Sequence, residues 1–129
     1  MSKRITAANI RLKRAYDPAV SGDGTRILID RLWPRGVRKA DAAIDLWVKD
    51  IAPSTALRKW FGHDPARWQE FRRRYSEEIH RHRDRLRELR ALAQRGRITL
   101  VFAAHDEAHN DAVVLRAVLL SRNIDRCQS

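Results

Sequence analysis

Two polar clusters in the sequence carry side chains that can bind an anion or transfer a proton. The first follows the apolar run 27–29 and consists of Asp30, Arg31, Arg35 and Lys39. The second follows the apolar run 98–104 and consists of His105, Asp106, His109 and Asn110. Arginines hold phosphates or carboxylates through bidentate hydrogen bonds, and an imidazole or carboxyl group can act as an acid or base near neutral pH. The clusters therefore suggest a site for a small anionic molecule.

The elements that must position these clusters are read from hydrophobic periodicity and from turn residues. Strands are predicted at 10–16, 26–32 and 97–104, a short helical pattern at 44–51, and helices at 53–61, 65–96 and 108–122. The loop between the first two strands is too short for a helical crossover, so these strands are antiparallel neighbours or are not adjacent. The order of elements predicts a small single-domain α/β sandwich of three layers, with a short mixed, partly parallel sheet flanked by helices.

Helices connect the second strand to the strand at 97–104, which predicts that these two strands are parallel and that their carboxyl ends share one rim. Ligands of open α/β sheets bind at such a rim. The predicted ligand-binding residues there are Arg14, Asp30, Arg31, Arg35, Lys39 and Asn110. The candidates for proton transfer are His105, Asp106 and His63.

Structural roles can also explain much of this pattern. Asp30 can pair with a nearby arginine at the strand end, and Asp106 and Asn110 can cap the last helix. The four tryptophans are expected in the core. His105 and His109 have the helical spacing of metal ligands, but His105 is expected to precede the helix, so no metal site and no cofactor are predicted.

The composition favours a basic protein of a reducing compartment. There are 27 lysines and arginines against 16 acidic residues, and the single cysteine, Cys127, has no partner for a disulfide. With no signal-like or membrane-spanning run in the sequence, a cytoplasmic protein without membrane contact is expected. The charge also allows weak, salt-sensitive binding of nucleic acid through the Arg-rich helix, although acids at helical spacing, such as Glu70 with Arg74, should neutralise part of it.

Several blocks of the sequence resemble one known family. They are 13–17, the segment DGTRILIDRLWPRG at 23–36, WVKDIAPS at 47–54, LRKWF at 57–61, and 99–110. This series is similar to the YeaO-like branch of the domain-of-unknown-function 488 family and covers nearly the whole chain, 1–129, as one domain. The resemblance implies a bacterial-type α/β protein with no assigned activity. Members often carry a histidine directly after the asparagine of the last block, where this chain has Asp111.

Three functional hypotheses remain open from the sequence. The first is an enzyme or binding protein for a small ligand that bears a phosphate or carboxylate, bound at the rim. The second is a nucleic-acid-binding module that uses the Arg-rich helix. The third is a structural or adaptor protein without catalysis, and each of the three is compatible with a monomer or a homodimer.

Overall fold

Four parallel strands form the sheet of the computed structural model, which describes residues 5–121. The strands are β1 (Ile10–Arg14), β2 (Thr25–Leu28), β3 (Leu46–Trp47) and β4 (Ile98–Phe102). The helices are α1 (Lys39–Ala42), α2 (Thr55–Phe61), α3 (Trp68–His80), α4 (Arg83–Arg95) and α5 (Asp111–Leu120). The predicted small α/β domain is confirmed.

The sheet has the order β1-β4-β2-β3, so the last strand in the chain lies inside it. Ile98 is in register with Ile10 of β1 on one side and with Thr25 of β2 on the other. Of the two arrangements left open for β1 and β2, the structure has the second, because β4 separates them. The pairing of β2 with β4 is parallel as expected, and the sheet is parallel at all its described pairings rather than mixed.

The two faces of the sheet are covered differently. On one face, alternate residues of the strands, such as Ile27 and Leu100, join the main hydrophobic core with α2, α3, α4 and α5. On the other face, Leu28 and Val101 are covered by a thin layer that includes Trp33 and Trp47. The near-continuous apolar sequence of β4 follows from this cover on both faces, since all five of its residues are buried.

The tryptophans are packed against apolar neighbours, as the sequence suggests. Trp68 is buried in the main core, and Trp60 packs against that core while half-buried. Trp33 and Trp47 lie edge to face on the opposite side of the sheet, with their ring centroids 5.5 Å apart. These two rings form most of the apolar cover of the thin layer.

The long helix predicted at 65–96 is wrong, because the chain forms two helices there. α3 ends at His80, and His82 leaves the helical region with φ −106° and ψ 57° before α4 begins. Ile79 and Leu86 on either side of the break are both buried. Their separation of two helical turns suits one straight helix as well as two, so the apolar spacing hides the interruption.

The helical pattern expected at 44–51 is also wrong. This segment contains the short strand β3 and a 3-10 turn, Lys49–Ile51. The N–H of Asp45 donates to Arg26 O, and the N–H of Val48 donates to Leu28 O, each at 2.9 Å. The segment therefore uses its backbone groups to complete the free edge of β2, and a spacing of a few apolar residues could not reveal this.

Helix ends follow the predicted chemistry closely. Ser54 caps α2, Asp64 caps the turn that leads into α3, and Gly96 ends α4. Asn110 caps α5, so that helix starts at Asp111 and not near 108. The predicted end at 122, like Cys127, lies outside the described residues. None of the helices in residues 5–121 combines the length and apolarity needed to cross a membrane.

A buried ion cluster stabilises the amino-terminal side of the sheet. Asp23 is 0% exposed, and its carboxylate lies 2.7 Å from the guanidinium of Arg26 and 3.1 Å from Lys13 Nζ. Burial opposes the charge of Asp23, but hydrogen bonds from Val20 and from these two cations outweigh it and hold its pKa below the ordinary value. Arg26 also donates from Nε to Ala42 O at 2.8 Å, which ties α1 to β2.

Replacing Asp23 tests whether this cluster holds the sheet together. Asp23→Asn leaves two cations buried without their counter-charge, so the free energy of unfolding should fall by about 3–5 kcal/mol. The matched control is Asp41→Asn, since Asp41 pairs with Arg38 at 3.1 Å on the surface, and it should change stability by less than about 1 kcal/mol. Urea unfolding measures both, and equal effects of the two substitutions would contradict the role of the cluster.

Candidate functional site

A cleft of about 820 Å³ opens at the carboxyl ends of the strands. Its walls come from the loop after β2, the end of β1, α2 with the turn after it, and the turn between β4 and α5. Four cations line it, and we call them the cationic lip: Arg31, Arg35, Arg58 and Lys59. Its apolar lining includes Phe61 and Phe71, whose rings are stacked with their centroids 4.3 Å apart. A cleft of this size fits a small molecule.

The loop after β2 is held by side chains that the sequence already marks as unusual. The indole N–H of Trp47 donates to Asp30 O, and that of Trp33 donates to Val37 O, each at 2.7 Å. Gly36 has a φ of 79°, which favours glycine in the turn between these points. The loop is thereby fixed at its start and at its end, and Arg31 and Arg35 project from a defined backbone.

Arg31 is the cation of the lip that lies deepest. It is half-buried, and one terminal nitrogen donates to Pro53 O at 3.3 Å. Its Nε is buried and meets no hydrogen-bond acceptor among residues 5–121. Leaving a buried donor of a charged group unpaired costs free energy, so this nitrogen is suited to an acceptor that arrives with a ligand.

The other predicted anion ligands are placed less uniformly. Arg35 is exposed on the lip, whereas Lys39 begins α1 and does not line the cleft. Arg14 lies behind the cleft wall, where its guanidinium donates to Ala104 O at 3.0 Å and meets His105 Nδ1 at 3.2 Å. Because a guanidinium only donates, this contact makes Nδ1 of His105 the acceptor and leaves the proton on Nε2.

Tyr16 connects the same corner to the loop after β2. Its ring lies 5.0 Å from the Arg14 guanidinium, and its hydroxyl donates to Arg35 O at 3.0 Å. Tyr16 also lines the cleft. Arg14 thus has a positioning role for the side chains of the cleft and is not itself on its surface.

Asp106 is occupied by local hydrogen bonds. One oxygen accepts from the N–H groups of Ala108 and His109, at 2.9 and 3.0 Å, and the other lies 2.9 Å from His109 Nδ1. The hydrogen bonds from the His109 side chain and the backbone hold the pKa of Asp106 below its ordinary value. Asp106 therefore stays ionised and shapes the turn before α5. This arrangement suits a structural carboxylate better than a group that exchanges protons with a ligand.

Asn110 combines a structural role with a place in the cleft. Its side chain accepts from Val113 N–H at 3.1 Å and donates to Asp106 O at 2.8 Å. His63 and His105 also line the cleft, and both are exposed. The structure therefore brings together all the predicted site residues except Arg14 and Lys39, although Asp106 and Asn110 are engaged in the turn.

The most distinctive chemistry of the cleft belongs to Asp30 and Asp111, which we call the carboxyl pair. Asp30 accepts from Ala103 N–H at 2.9 Å, and Asp111 accepts from Ala112 N–H at 2.9 Å. Burial, together with the charge of Asp30 and a hydrogen bond to it, raises the pKa of Asp111 well above its usual range. Asp111 therefore keeps its proton at pH values where an exposed aspartate is ionised.

Sequence reasoning missed Asp111, Arg58 and Lys59. Asp111 is the first residue of α5, where an acidic residue normally faces solvent and favours the helix dipole. The one available signal was the departure from the family's histidine at this position. Arg58 and Lys59 fall in the last turn of α2, where cations are ordinary, and nothing in their spacing reveals the cleft beside them.

Four arginines of α3 and α4 pair with acids of their own helices, namely Arg73, Arg74, Arg85 and Arg87. Glu70 lies 2.6 Å from Arg73 and 2.8 Å from Arg74, which confirms the expected pair at 70 and 74. These two guanidinium groups lower the pKa of Glu70 to about 2. Glu77 pairs with Arg73 at 2.8 Å, so this face is partly self-neutralised. In the described part of the chain, no three His, Cys, Asp or Glu side chains are grouped to hold a metal ion.

The raised pKa of Asp111 makes a prediction about stability and pH. The folded protein keeps a proton that the unfolded chain releases above about pH 4, so stability should fall as pH rises from there to the raised pKa of Asp111. Asp111→Asn keeps a donor toward Asp30 without a titrating proton. Relative to the wild type, this variant should gain up to about 1.4 kcal/mol per pH unit within that window.

Urea unfolding of the two proteins at a series of pH values measures this difference. Asp41→Asn serves as the control, because Asp41 is exposed and its substitution should leave the pH dependence of the wild type unchanged. If the free energy of unfolding of the wild type and of the Asp111→Asn variant depends on pH in the same way, the raised pKa of Asp111 is refuted.

Comparison with known proteins places the chain in a family. It is 45% identical to "Uncharacterized protein YeaO" of Escherichia coli K12 over 83% of this chain and 93% of that protein. It is 42% identical to "Uncharacterized protein Rv3073c" of Mycobacterium tuberculosis H37Rv over 92% of this chain and 99% of that protein. No solved structure matches the chain significantly.

A family model described as "Inactive DUF488-N3 subclade" matches residues 9–128. This range contains the strands of the sheet, the cationic lip and the carboxyl pair. The match and the two relatives agree, and the chain belongs to the DUF488 family, in its YeaO-like branch.

Proposed function

We propose that this protein binds a small anionic molecule, one that bears a phosphate or carboxylate, in the cleft at the carboxyl ends of the strands. The observation that carries the proposal is Arg31, whose buried Nε meets no acceptor among residues 5–121. An oxygen of a bound anion would supply that acceptor. The fork of the guanidinium would then make two parallel hydrogen bonds to the ligand.

The charge balance of the cleft supports an anion. Four cations line it, against Asp30, Asp106 and Asp111, and the raised pKa of Asp111 lowers the negative charge further. The formal net charge of +11 on the whole chain adds a long-range attraction for anions and raises their rate of encounter. Apolar and aromatic residues such as Phe61 and Phe71 also line the cleft, and a low local dielectric constant beside them strengthens such contacts.

Binding without turnover is favoured over catalysis. Asp106, the expected acid or base, is tied into its turn, and His105 and His63 are exposed at the cleft surface. The description of the matching family model includes the word "inactive", and this word supports binding without turnover. A nucleic-acid function is less well supported, because four of the arginines of α3 and α4 that would carry it pair with acids such as Glu70 and Glu77.

Substitution of Arg31 tests the proposal. Arg31→Ala should weaken the binding of inorganic phosphate by about tenfold or more, since a hydrogen bond to a charged group contributes about 1.5–3 kcal/mol. Isothermal titration calorimetry measures the affinity, and thermal unfolding reports on the fold. Arg31→Lys keeps the charge but loses the fork, and it should retain only part of the affinity.

The matched control is Arg72→Ala, which removes the same charge from an exposed position of α3 outside the cleft. It should leave phosphate binding nearly unchanged. Equal losses in the Arg31 and Arg72 variants would mean that only the overall field attracts phosphate. If the two variants also weaken the binding of single-stranded DNA equally, and if that binding falls steeply with salt concentration, nucleic-acid binding replaces small-anion binding as the proposed function.

A further inference from the structure

The carboxyl pair and the cationic lip give the two parts of the cleft opposite chemistry. Arg35, Arg58 and Lys59 are exposed, whereas Asp30 and Asp111 are half-buried where β2 ends and α5 begins. Both parts line the same cavity. A ligand that fills the cleft therefore meets cations near solvent and carboxyl groups farther in.

The hydrogen bonds of the carboxyl pair leave room for a further donor. One oxygen of Asp30 accepts from Ala103 N–H, and one oxygen of Asp111 accepts from Ala112 N–H. Each carboxyl oxygen has two acceptor positions, so several of these positions remain for a ligand.

Neither member of the carboxyl pair has a cation of the protein beside it. Among residues 5–121, Arg26 and Lys13 form ion pairs with Asp23, and Arg85 forms one with Asp50. No ion pair among these residues includes Asp30 or Asp111. Two adjacent carboxyl groups cannot both ionise without a proton or a cation to offset their repulsion. In the free protein the proton on Asp111 does this.

We infer that the ligand carries an ammonium group in addition to its anionic group, and that the ammonium binds between Asp30 and Asp111 while the anion binds at the cationic lip. An ammonium offers three donors and a full positive charge, so it can replace the proton on Asp111 and use the open acceptor positions in the cleft. The ligand class is thus a small zwitterion, of which aminoalkyl phosphates are simple examples. This inference rests on the proposed anion-binding function.

The buried ion cluster at the other end of the sheet shows what the carboxyl pair lacks. Asp23 is fully buried and holds Arg26 and Lys13 within 3.1 Å. The protein therefore supplies cations where a buried carboxylate is structural. Residues 5–121 supply no cation in ion-pair contact with the carboxyl pair, and the cavity beside that pair is open to a ligand.

The test compares matched phosphates by isothermal titration calorimetry. The probes are short aminoalkyl phosphates, the alkyl phosphates of the same chain lengths, and the corresponding hydroxyalkyl phosphates. The wild type should bind the best amino compound at least about tenfold more tightly than its alkyl counterpart. The hydroxyalkyl compound should resemble the alkyl one, because it lacks the positive charge.

Two variants test whether the carboxyl pair causes the preference for amino phosphates over alkyl phosphates. Asp111→Asn removes the second negative charge but keeps an acceptor for Ala112 N–H and a donor toward Asp30, so it should bind amino and alkyl phosphates with nearly equal affinity. Asp30→Asn should do the same and replaces the first variant if that one fails to fold. Arg31→Ala should weaken both kinds of phosphate by a similar factor and leave the preference intact.

The possible outcomes distinguish a failure of the ammonium inference from a failure of the proposed anion-binding function. If the wild type binds alkyl and amino phosphates equally, the ammonium inference is refuted and the anion-binding function stands. A hydroxyalkyl phosphate that binds as tightly as the amino compound also refutes it, because a neutral donor would then suffice. If none of the phosphates binds, both the inference and the proposed function fail.

Discussion

The carboxylate of Asp30 makes the contact on which the geometry of the cleft depends. It accepts a hydrogen bond from Ala103 N–H just beyond β4, and it meets Asp111 at the start of α5. Since Asp30 also follows β2, this one side chain joins two strand ends and a helix. Arg31 comes next in the chain, so its position in the cleft follows from how Asp30 is held. A parallel sheet makes such a junction possible because neighbouring strands end on the same side.

Charged groups at the two ends of the sheet differ in whether the protein supplies partners for them. At the amino-terminal side, Asp23 is enclosed by cations and its charge is fully compensated within the fold. At the carboxyl side, a buried donor of Arg31 meets no acceptor among residues 5–121, and Asp111 has a raised pKa beside Asp30. Buried polar groups are satisfied in the great majority of cases, and exceptions need an explanation. Arg26 Nη2 and His80 Nε2 are also buried without a partner among these residues, but of the three nitrogens it is that of Arg31 whose side chain lines the cleft, which is the physical reason to regard that end as the binding end.

Much of the fold could be predicted because it depends on local signals. The apolar run of β4, the caps Ser54 and Asn110, and the parallel pairing of β2 with β4 follow from patterning and from connection rules. The break at His82 escaped prediction because apolar spacing continues across it. The proximity of Asp30 to Asp111 could not be predicted either, since it depends on how the end of β2 and the start of α5 are placed relative to each other. The local sequence of neither element indicates this placement. The residues of the loop after β2 were identifiable because tryptophan, proline and arginine rarely occur together without a reason.

The central position of β4 has a consequence for how the protein is made. β1 and β2 are not neighbours, so each finds its main partner only when residues 98–102 are available. During synthesis β1 therefore leaves the ribosome without a strand to pair with, and β2 can pair only with the two-residue strand β3, so much of their apolar surface stays exposed until nearly the whole domain has been translated. Contacts between such distant segments also form slowly, because a long loop must close before they are made. The full sheet and the cleft then arise in the same late step, and a nascent chain that stalls before β4 has at most the pairing of β2 with β3.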